Sequence, residues 1–354
     1  MGIERIGINF IRTANQIPSG INNAAKMAKI AEPKTNRSTG KLVERFQAIR
    51  TRIIRKDIDK YILESTAKNF ETSKQRLISL LSNSVDKSLL ERLSNSQDSV
   101  YMDIIIQKEL RRLEQDFLKT IELSKRVSGN KITLELEQEC NKFLKMRENL
   151  ILAREKAFYV KSVNPKVVEI ENILKEKYGV KFVNLKDNEQ KAKLILKAFE
   201  IAKKNNKSLP ENVFVSDFVM LQGEYCPNSK SVIYASDTIT DLIKFASQKA
   251  AKKFDEKDVE MLREFFIKKQ ERWYSTSLPE HVMLHEILHV DHPQLLAYKA
   301  KEIPSEFSYV KRSLGEYSAK KKNHETFVEL DTKKCLSGLN EQEEKLYNYL
   351  NFFA

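Results

Sequence analysis

The chain has little of several residue types, and each shortage narrows the class of protein. Its 354 residues include only three cysteines, which are widely spaced and form no Cys-x-x-Cys pair. Neither a disulfide framework nor cysteine ligation of zinc is therefore expected. With 9 glycines and 8 prolines, the composition favours helices over loops and repeats. There is no run of about 18 apolar residues and no apolar signal-peptide core, so we expect a soluble protein in a reducing, cytosolic compartment.

Charge of one sign is also not concentrated anywhere, although the net charge is +13. Such a charge makes nucleic acid or an acidic membrane surface a candidate partner. The lysines and arginines, however, alternate with acidic residues along most of the chain, as they do in 252–258. That pattern is typical of solvated helix faces, and no basic stripe with interleaved aromatics is present. Nucleic acid is therefore not a predicted partner.

Helix-breaking residues and changes in hydrophobic periodicity divide the chain into three predicted parts. Residues 1–40 are polar and rich in small residues, which favours a disordered leader; this is either a leader for non-classical secretion into a target cell or a plain tail. Residues 41–163 show repeated helical periodicity and predict a helical bundle, whose role is either structural support or docking of a partner. The predicted helices of this part cover 42–63, 70–81, 101–127 and 132–161.

After Asn164–Pro165 the pattern changes to alternating helices and strands, and 164–354 is predicted to be a second domain. The strands are predicted at 180–185, 213–218, 223–226 and 231–235, the last two joined by a turn at 227–230. Helices are predicted at 167–178, 188–205, 240–251 and 258–274. The predicted fold class is α+β, with a helical bundle followed by a domain that contains a small mixed sheet.

One segment, 277–293, carries the strongest functional signal. It contains His285, Glu286 and His289 in the pattern H-E-x-x-H, which is typical of zinc hydrolases. On a helix the two histidines lie one turn apart and can bind one metal ion, while Glu286 stands beside the ion as a general base. Of the five histidines in the chain, four lie in this segment, which argues against a chance match.

The flanking residues predict where this helix begins and ends. Ser277 followed by Glu280 reads as a capping box, and Pro293 ends the run, so a buried helix is expected at about 278–291. His281 is predicted to form a hydrogen bond near the mouth of a cleft, or else to be a ligand. His292 is predicted to cap the helix C-terminus.

Two histidines need a third protein ligand, and the sequence offers a downstream candidate. The metzincin pattern is excluded, because it requires glycine and histidine where the chain has His292 and Leu295. A second helix is predicted to begin near Asn323, and it places Glu325 and Glu329 on one face. One of these carboxylates can bind the metal while the other orients a ligating imidazole. The neighbouring His324 is interpreted as a surface residue.

These two motifs together resemble the gluzincin metallopeptidases, and more narrowly the lethal-factor-type proteases of bacterial toxins and injected effectors. That family has H-E-x-x-H followed by a helix similar to E-F-F-A-E, and this chain has E-T-F-V-E. The resemblance implies a zincin-like domain, Zn²⁺ as cofactor, Glu325 as third ligand, and an upstream tyrosine that stabilises the oxyanion. Tyr317 matches that tyrosine, although it lies one residue farther from the glutamate than in the family, and Tyr309 is its rival.

The sequence therefore predicts a zinc endopeptidase that hydrolyses protein or peptide substrates and acts as a secreted toxin or effector. In metallopeptidases of this plan a strand before the catalytic helix lines the cleft, and Glu224–Cys226 or Ser231–Ala235 would take that place. The competing hypothesis is a structural or interaction protein of a particle or complex, with a vestigial or self-processing peptidase domain. The long charged helices before residue 163 favour that alternative.

Overall fold

The computed structural model is a mixed α and β protein, mostly helical, with one small four-stranded sheet. It describes residues 70–128, 134–216, 218, 223–235, 258, 260–261, 274–292, 303–320 and 323–351. The predicted leader at 1–40, the predicted helices at 42–63 and 240–251, and most of the one at 258–274 lie outside these residues. Within the described part, no helix is both long and apolar enough to cross a bilayer.

The described elements agree in type with most of the predicted ones. The helices are α1 (Phe70–Leu81), α2 (Lys87–Ser94), α3 (Ser99–Ser128), α4 (Leu134–Ala157), α5 (Pro165–Glu176), α6 (Glu189–Lys204), α7 (His281–Leu288), α8 (Ser308–Ser313), α9 (Glu316–Lys320), α10 (Asn323–Ser337) and α11 (Glu341–Asn351). The strands are β1 (Phe182–Asn184), β2 (Asn212–Ser216), β3 (Gly223–Cys226) and β4 (Ser231–Ala235). The helix predicted at 70–81 and the two strands of the predicted hairpin are confirmed residue for residue.

The chain forms two compact units. One contains the described residues of Thr120–Ser236 and Lys269–Ala354, and the other contains those of Glu4–Lys119 and Asp237–Lys268. The division falls within α3, whereas the domain boundary was predicted at 163/164. Helix α4 contacts the sheet: Glu155, for example, accepts a hydrogen bond from Ser216 Oγ at the end of β2 (2.8 Å).

In the helical unit α1 packs against α2, and an ion pair joins α2 to α3. Asp86 caps α2, because its carboxylate accepts a hydrogen bond from the Leu89 amide at 2.7 Å. Glu109 on α3 is buried and paired with Arg92 at 2.9 Å and with Arg112, so its charge is compensated. The fully buried side chains of this unit are Leu77, Leu81, Leu89, Leu93, Met102 and Ile106.

The second unit is built on the sheet, whose strand order is β1-β2-β4-β3. The first three strands are parallel, and β3 runs antiparallel to β4 at the edge. Since side chains alternate along a strand, Val213 and Val215 face one side and Phe214 faces the other. The valine side packs against α5, α6 and α7 in one buried cluster that includes Tyr234, Ile195 and Leu284.

The opposite face of the sheet meets the C-terminal end of α4. The Lys156 ammonium lies 5.6 Å from the ring centroid of Phe182, and the Phe182 ring is 5.7 Å from that of Phe214. Tyr159, just after α4, packs edge-on against Phe182 at 5.9 Å. Helices therefore contact both faces of the sheet, and both faces are protected from water.

Candidate metal centre

The helix that carries the sequence motif, α7, is shorter than predicted. It begins at His281 and ends at Leu288, and its N-cap residue Glu280 makes no side-chain cap hydrogen bond. The predicted capping box of Ser277 and Glu280 is therefore wrong. The Glu280 carboxylate instead forms an ion pair with Lys197 of α6 at 2.5 Å.

The two motif histidines still lie one turn apart, although His289 follows the last helical residue. Its backbone keeps helical angles, with φ −61° and ψ −16°, so the spacing of four residues places both rings on one side. The ring centroids of His285 and His289 are 4.9 Å apart, and both side chains are buried.

The helix α10 brings the predicted third ligand to these histidines. Glu325 is buried, and its Oε2 lies 3.3 Å from His285 Nε2 and 3.6 Å from His289 Nε2. Tyr317 of α9 donates a hydrogen bond to the same oxygen at 2.7 Å. The nitrogens of His285 and His289 and the hydroxyl of Tyr317 therefore all lie within 3.6 Å of one oxygen of Glu325, which brings the three predicted metal ligands and the predicted tyrosine together.

The spacing of these atoms fits a bound metal ion. Ligands about 2.0–2.1 Å from a tetrahedral zinc are about 3.3–3.4 Å from one another. The nitrogen-to-oxygen distances of 3.3 and 3.6 Å are close to that value and longer than the roughly 2.7–2.9 Å of a direct charge-assisted hydrogen bond. The buried group of His285, His289 and Glu325 could therefore hold a metal ion.

Glu329, one turn after Glu325 on α10, lies on the other side of the His285 ring. Its Oε2 is 3.1 Å from His285 Nδ1, and its Oε1 is 3.1 Å from His281 Nε2. The carboxylate is fully buried and also accepts a hydrogen bond from the Ser275 amide at 2.6 Å. Burial raises the pKa of Glu329, but His281 and His285 outweigh it and hold the pKa well below its usual range.

His281, His285 and Glu329 form a second buried group that could hold an ion. In this group Glu329 Oε2 lies 3.1 Å from His285 Nδ1 and 3.3 Å from His281 Nε2, just as Glu325 Oε2 faces both Nε2 atoms of the first group. The other nitrogen of His281 is 3.0 Å from Thr276 Oγ1. Each group therefore converges on one carboxylate oxygen, and the first is the one that contains both motif histidines and the Tyr317 hydroxyl. For the first group, Glu329 lies within ion-pair distance of the other nitrogen of His285, where a carboxylate can orient a ligating imidazole.

Glu286 stands beside the candidate ligands and against the edge strand. A Cβ atom added to Gly223 of β3 would lie 2.9 Å from Glu286 Cγ and 2.9 Å from Tyr234 Cδ1. The pKa of Glu286 is raised by burial, while His289 and His285 lower it and Glu325 and Glu224 raise it. A carboxylate with a raised pKa, next to a metal-ligand group, is suited to accept and return a proton near neutral pH.

Of the two tyrosine candidates, only Tyr317 is in contact with the described residues of the site. Tyr317 is at the site, where its ring lies edge-on to His285 at 5.4 Å, and burial together with the charge of Glu325 raises its pKa. Its hydroxyl therefore stays protonated at neutral pH and can donate. Tyr309, in contrast, is 73% exposed to solvent. The side chain of His324 lies outside the described residues.

Some neighbours of the site had no signal in the sequence. Tyr274 packs its ring 4.8 Å from that of His281 and 5.6 Å from that of Tyr317, so it covers both. The hydroxyl of Tyr234 on β4 donates to the carbonyl of Met283 at 2.8 Å and ties the sheet to α7. A lone tyrosine in a strand or loop gives no such indication in a single sequence.

A second buried polar cluster fixes α10 behind the site. Asp331 is fully buried and accepts hydrogen bonds from Lys207 Nζ at 2.7 Å and from the Tyr347 hydroxyl at 3.2 Å. His292 Nε2 lies 3.1 Å from the same carboxylate, and its ring is 4.4 Å from that of Phe327. His292 was predicted to cap α7, but it packs against α10 and so links the two helices that supply the candidate ligands.

No protein-family model, curated protein or solved structure matches the chain in comparisons of its sequence and its fold. The site is therefore interpreted from its own geometry.

Metal binding is expected to release a proton from His285. In the metal-free protein, burial lowers the pKa of His285, but Glu325 and Glu329 outweigh it and raise the pKa to about 10. The unfolded value is about 6.5, so this proton stabilises the metal-free fold fully below pH 6.5 and ceases to do so as the pH rises through about 10. Because a ligating imidazole must be neutral, we expect release of about one proton from His285 on metal binding near pH 8.

Calorimetric titration of metal into the metal-free protein, in two buffers with different ionisation enthalpies, measures this release. If the observed enthalpy does not depend on the buffer, no proton is released on metal binding, and the prediction for His285 is wrong.

Proposed function

We propose that the protein is a zinc-dependent endopeptidase whose second unit is a zincin-like catalytic domain. The observation that supports this most directly is the convergence of His285 Nε2 and His289 Nε2 on Glu325 Oε2, at the distances expected around one tetrahedral ion. Glu286 lies on the same helix, beside these ligands. The resemblance of the two motifs to lethal-factor-type gluzincins supports the same function, and delivery as a toxin or effector stays a prediction.

The residues divide into those that bind and those that move protons. His285, His289 and Glu325 would hold the ion, which, when bound, supplies Lewis acidity that lowers the pKa of water to about 7. Glu329 would fix the orientation of His285 through Nδ1. The Glu286 carboxylate accepts a proton from the attacking water and returns it to the leaving amine.

Tyr317 is placed to stabilise negative charge on the substrate. Its hydroxyl is protonated and donates a hydrogen bond to Glu325 Oε2, the oxygen that both histidines face. A small rotation would direct that donor to the carbonyl oxygen of a bound peptide. Losing one donor of this kind typically costs about 3–4 kcal/mol of transition-state stabilisation.

Cleavage of a peptide library tests the proposal. Zinc-loaded full-length protein is incubated with peptides from a whole-proteome digest, and new termini are identified by mass spectrometry. We expect internal cleavages that disappear with 1,10-phenanthroline and return when zinc is restored. If the zinc-loaded protein produces no more new termini than its Glu286→Gln variant, the peptidase proposal fails and the structural or interaction hypothesis is favoured.

Gly223→Ala is expected to impair hydrolysis without loss of the metal. The added methyl group would lie 2.9 Å from Glu286 Cγ, closer than the roughly 3.5–4.0 Å of ordinary carbon contacts. The same methyl group would lie 2.9 Å from Tyr234 Cδ1, so β3 and Glu286 must move apart, and a displacement of about 1 Å in a reacting group can cost about 100-fold in rate. The measurement is kcat/KM on a library-derived peptide, with zinc content as the internal control; an unchanged rate would show that Glu286 tolerates the shift or is not the base.

A further inference from the structure

Two successive residues of β3, Gly223 and Glu224, contact different helices on opposite faces of the sheet. Register pairs Gly223 with Tyr234 and Glu224 with Ile233, so Gly223 faces α7 and Glu224 faces the opposite side of the sheet. On the first side Gly223 touches Glu286. On the second side Glu224 meets Arg147 of α4. The position of the edge strand against Glu286 is thus coupled to a side chain on the far face.

The contact between Arg147 and Glu224 is a two-point clamp. The two guanidinium nitrogens of Arg147 donate to the two carboxylate oxygens of Glu224, Nη1 to Oε1 at 2.6 Å and Nη2 to Oε2 at 3.1 Å. Paired contacts of this kind fix orientation as well as distance. The Arg147 side chain is only 12% exposed, which limits screening by water. Cys226 Sγ, at 3.4 Å from Glu224 Oε1, lies on the same side of the strand.

The next residue of α4 holds the turn that follows β3. Glu148 is buried, and its carboxylate accepts hydrogen bonds from Asn228 Nδ2 at 3.0 Å and from the Ser229 amide at 2.9 Å. Two consecutive residues of α4, Arg147 and Glu148, therefore form hydrogen bonds with the edge strand and with its turn. A helix predicted to lie in a separate bundle thus supports, from the far face of the sheet, the strand that contacts Glu286.

The clamp explains how an edge strand of four residues keeps its register. A slip of one residue exchanges the two faces of a strand, which would turn Glu224 toward Glu286 and Gly223 toward α4. The slipped strand would bring a second carboxylate to Glu286 and leave Arg147 without its present partner. Buried ion pairs add little net stability compared with apolar pairs, and their best-attested use is to specify a register.

We propose that Arg147 is a positioning residue that fixes the register of β3 and thereby keeps Gly223 against Glu286. The structural part of this proposal is independent of the peptidase activity, whereas its effect on catalysis rests on the proposed function. Arg147 would act on Glu286 through Glu224 and the strand, from the opposite face of the sheet.

Hydrogen exchange tests the register directly. In Arg147→Gln, we expect the amides of 223–226 and of their partners in β4 to exchange at least 10-fold faster. We expect those of α7 and α10 to keep their rates. Arg147→Lys retains the charge but not the two-point contact, so an intermediate rate is expected. Lys142→Gln is the matched control, because it removes an exposed cation from the same helix.

Two results would overturn the proposal. One is unchanged exchange in β3, and the other is acceleration spread evenly over the whole unit, which would indicate a loss of general stability only. If library cleavage is found, Arg147→Gln should also lower kcat by about 10-fold while zinc content stays at the wild-type value. If no cleavage is found, the exchange result still decides the register proposal on its own.

Discussion

Replacing Glu286 with glutamine is expected to abolish peptide hydrolysis and to leave the bound metal in place. Glutamine has nearly the same shape but cannot accept the proton of the attacking water. Loss of a general base typically reduces the rate by about 10²–10⁴-fold. Glu286 is not among the groups of side chains that could hold an ion, so zinc content should stay near that of the wild type. The measurements are kcat/KM on a library-derived peptide and elemental analysis of the purified variant.

Glu280→Gln is the matched control for this variant. Glu280 precedes the same helix and is buried, but its partner is Lys197 of α6 at 2.5 Å. Its replacement should lower stability modestly and leave the chemistry intact.

If Glu286→Gln retains more than about a tenth of the wild-type rate, well short of the loss expected for a general base, another group must take the proton. If it loses zinc, Glu286 is itself a ligand.

The parts of the fold that could be predicted are those governed by local chemistry. The hairpin of β3 and β4 follows from two short β-rich runs around Pro227–Lys230, and its strands are found at the predicted residues. Helix α1 was likewise placed correctly by periodicity. Helix α2 was not predicted, because its eight residues stand in a stretch rich in serine and asparagine, and its main signal is the Asp86 cap.

The candidate site could be predicted where spacing along one helix decides the geometry. His285 and His289 face the same side because they are four residues apart, and Glu325 and Glu329 follow the same rule on α10. What a single sequence could not show is which carboxylate faces which nitrogen, since that depends on how α10 packs against α7. Glu325 meets both Nε2 atoms, and Glu329 meets His285 Nδ1 and His281.

Long-range pairs account for the rest of what the sequence did not indicate. Arg147 and Glu224 are 77 residues apart, and Lys207 and Asp331 are 124 apart. In the sequence each of these four residues is one charge among many on a solvated face. Their pairing, and the full burial of Asp331, exist only after the helices have packed on the sheet.

Exchanging the two glutamates of α10 for glutamine, one at a time, is expected to separate the ligand from the orienting residue. Glu325→Gln removes the oxygen that faces both histidines. Glu329→Gln removes the charge behind His285, while its side-chain oxygen can still accept from the Ser275 amide. Losing an orienting partner typically costs about 10–100-fold in metal affinity, so we expect a loss in this range for Glu329→Gln and a larger one for Glu325→Gln. Competition with a chromogenic chelator at fixed pH measures both.

A second pair of variants distinguishes the two groups that could hold the ion. His289 belongs only to the group with Glu325, and His281 belongs only to the group with Glu329. If the ion lies where the Nε2 atoms converge, His289→Asn should lose zinc and His281→Asn should retain it with weaker affinity. The opposite result would be that His281→Asn loses zinc and His289→Asn retains it. Together with a larger effect of Glu329→Gln than of Glu325→Gln, it would place the ion at His281, His285 and Glu329. In that case Glu325 and Tyr317 would face His285 from the substrate side, and the proposed roles of both residues would have to be abandoned.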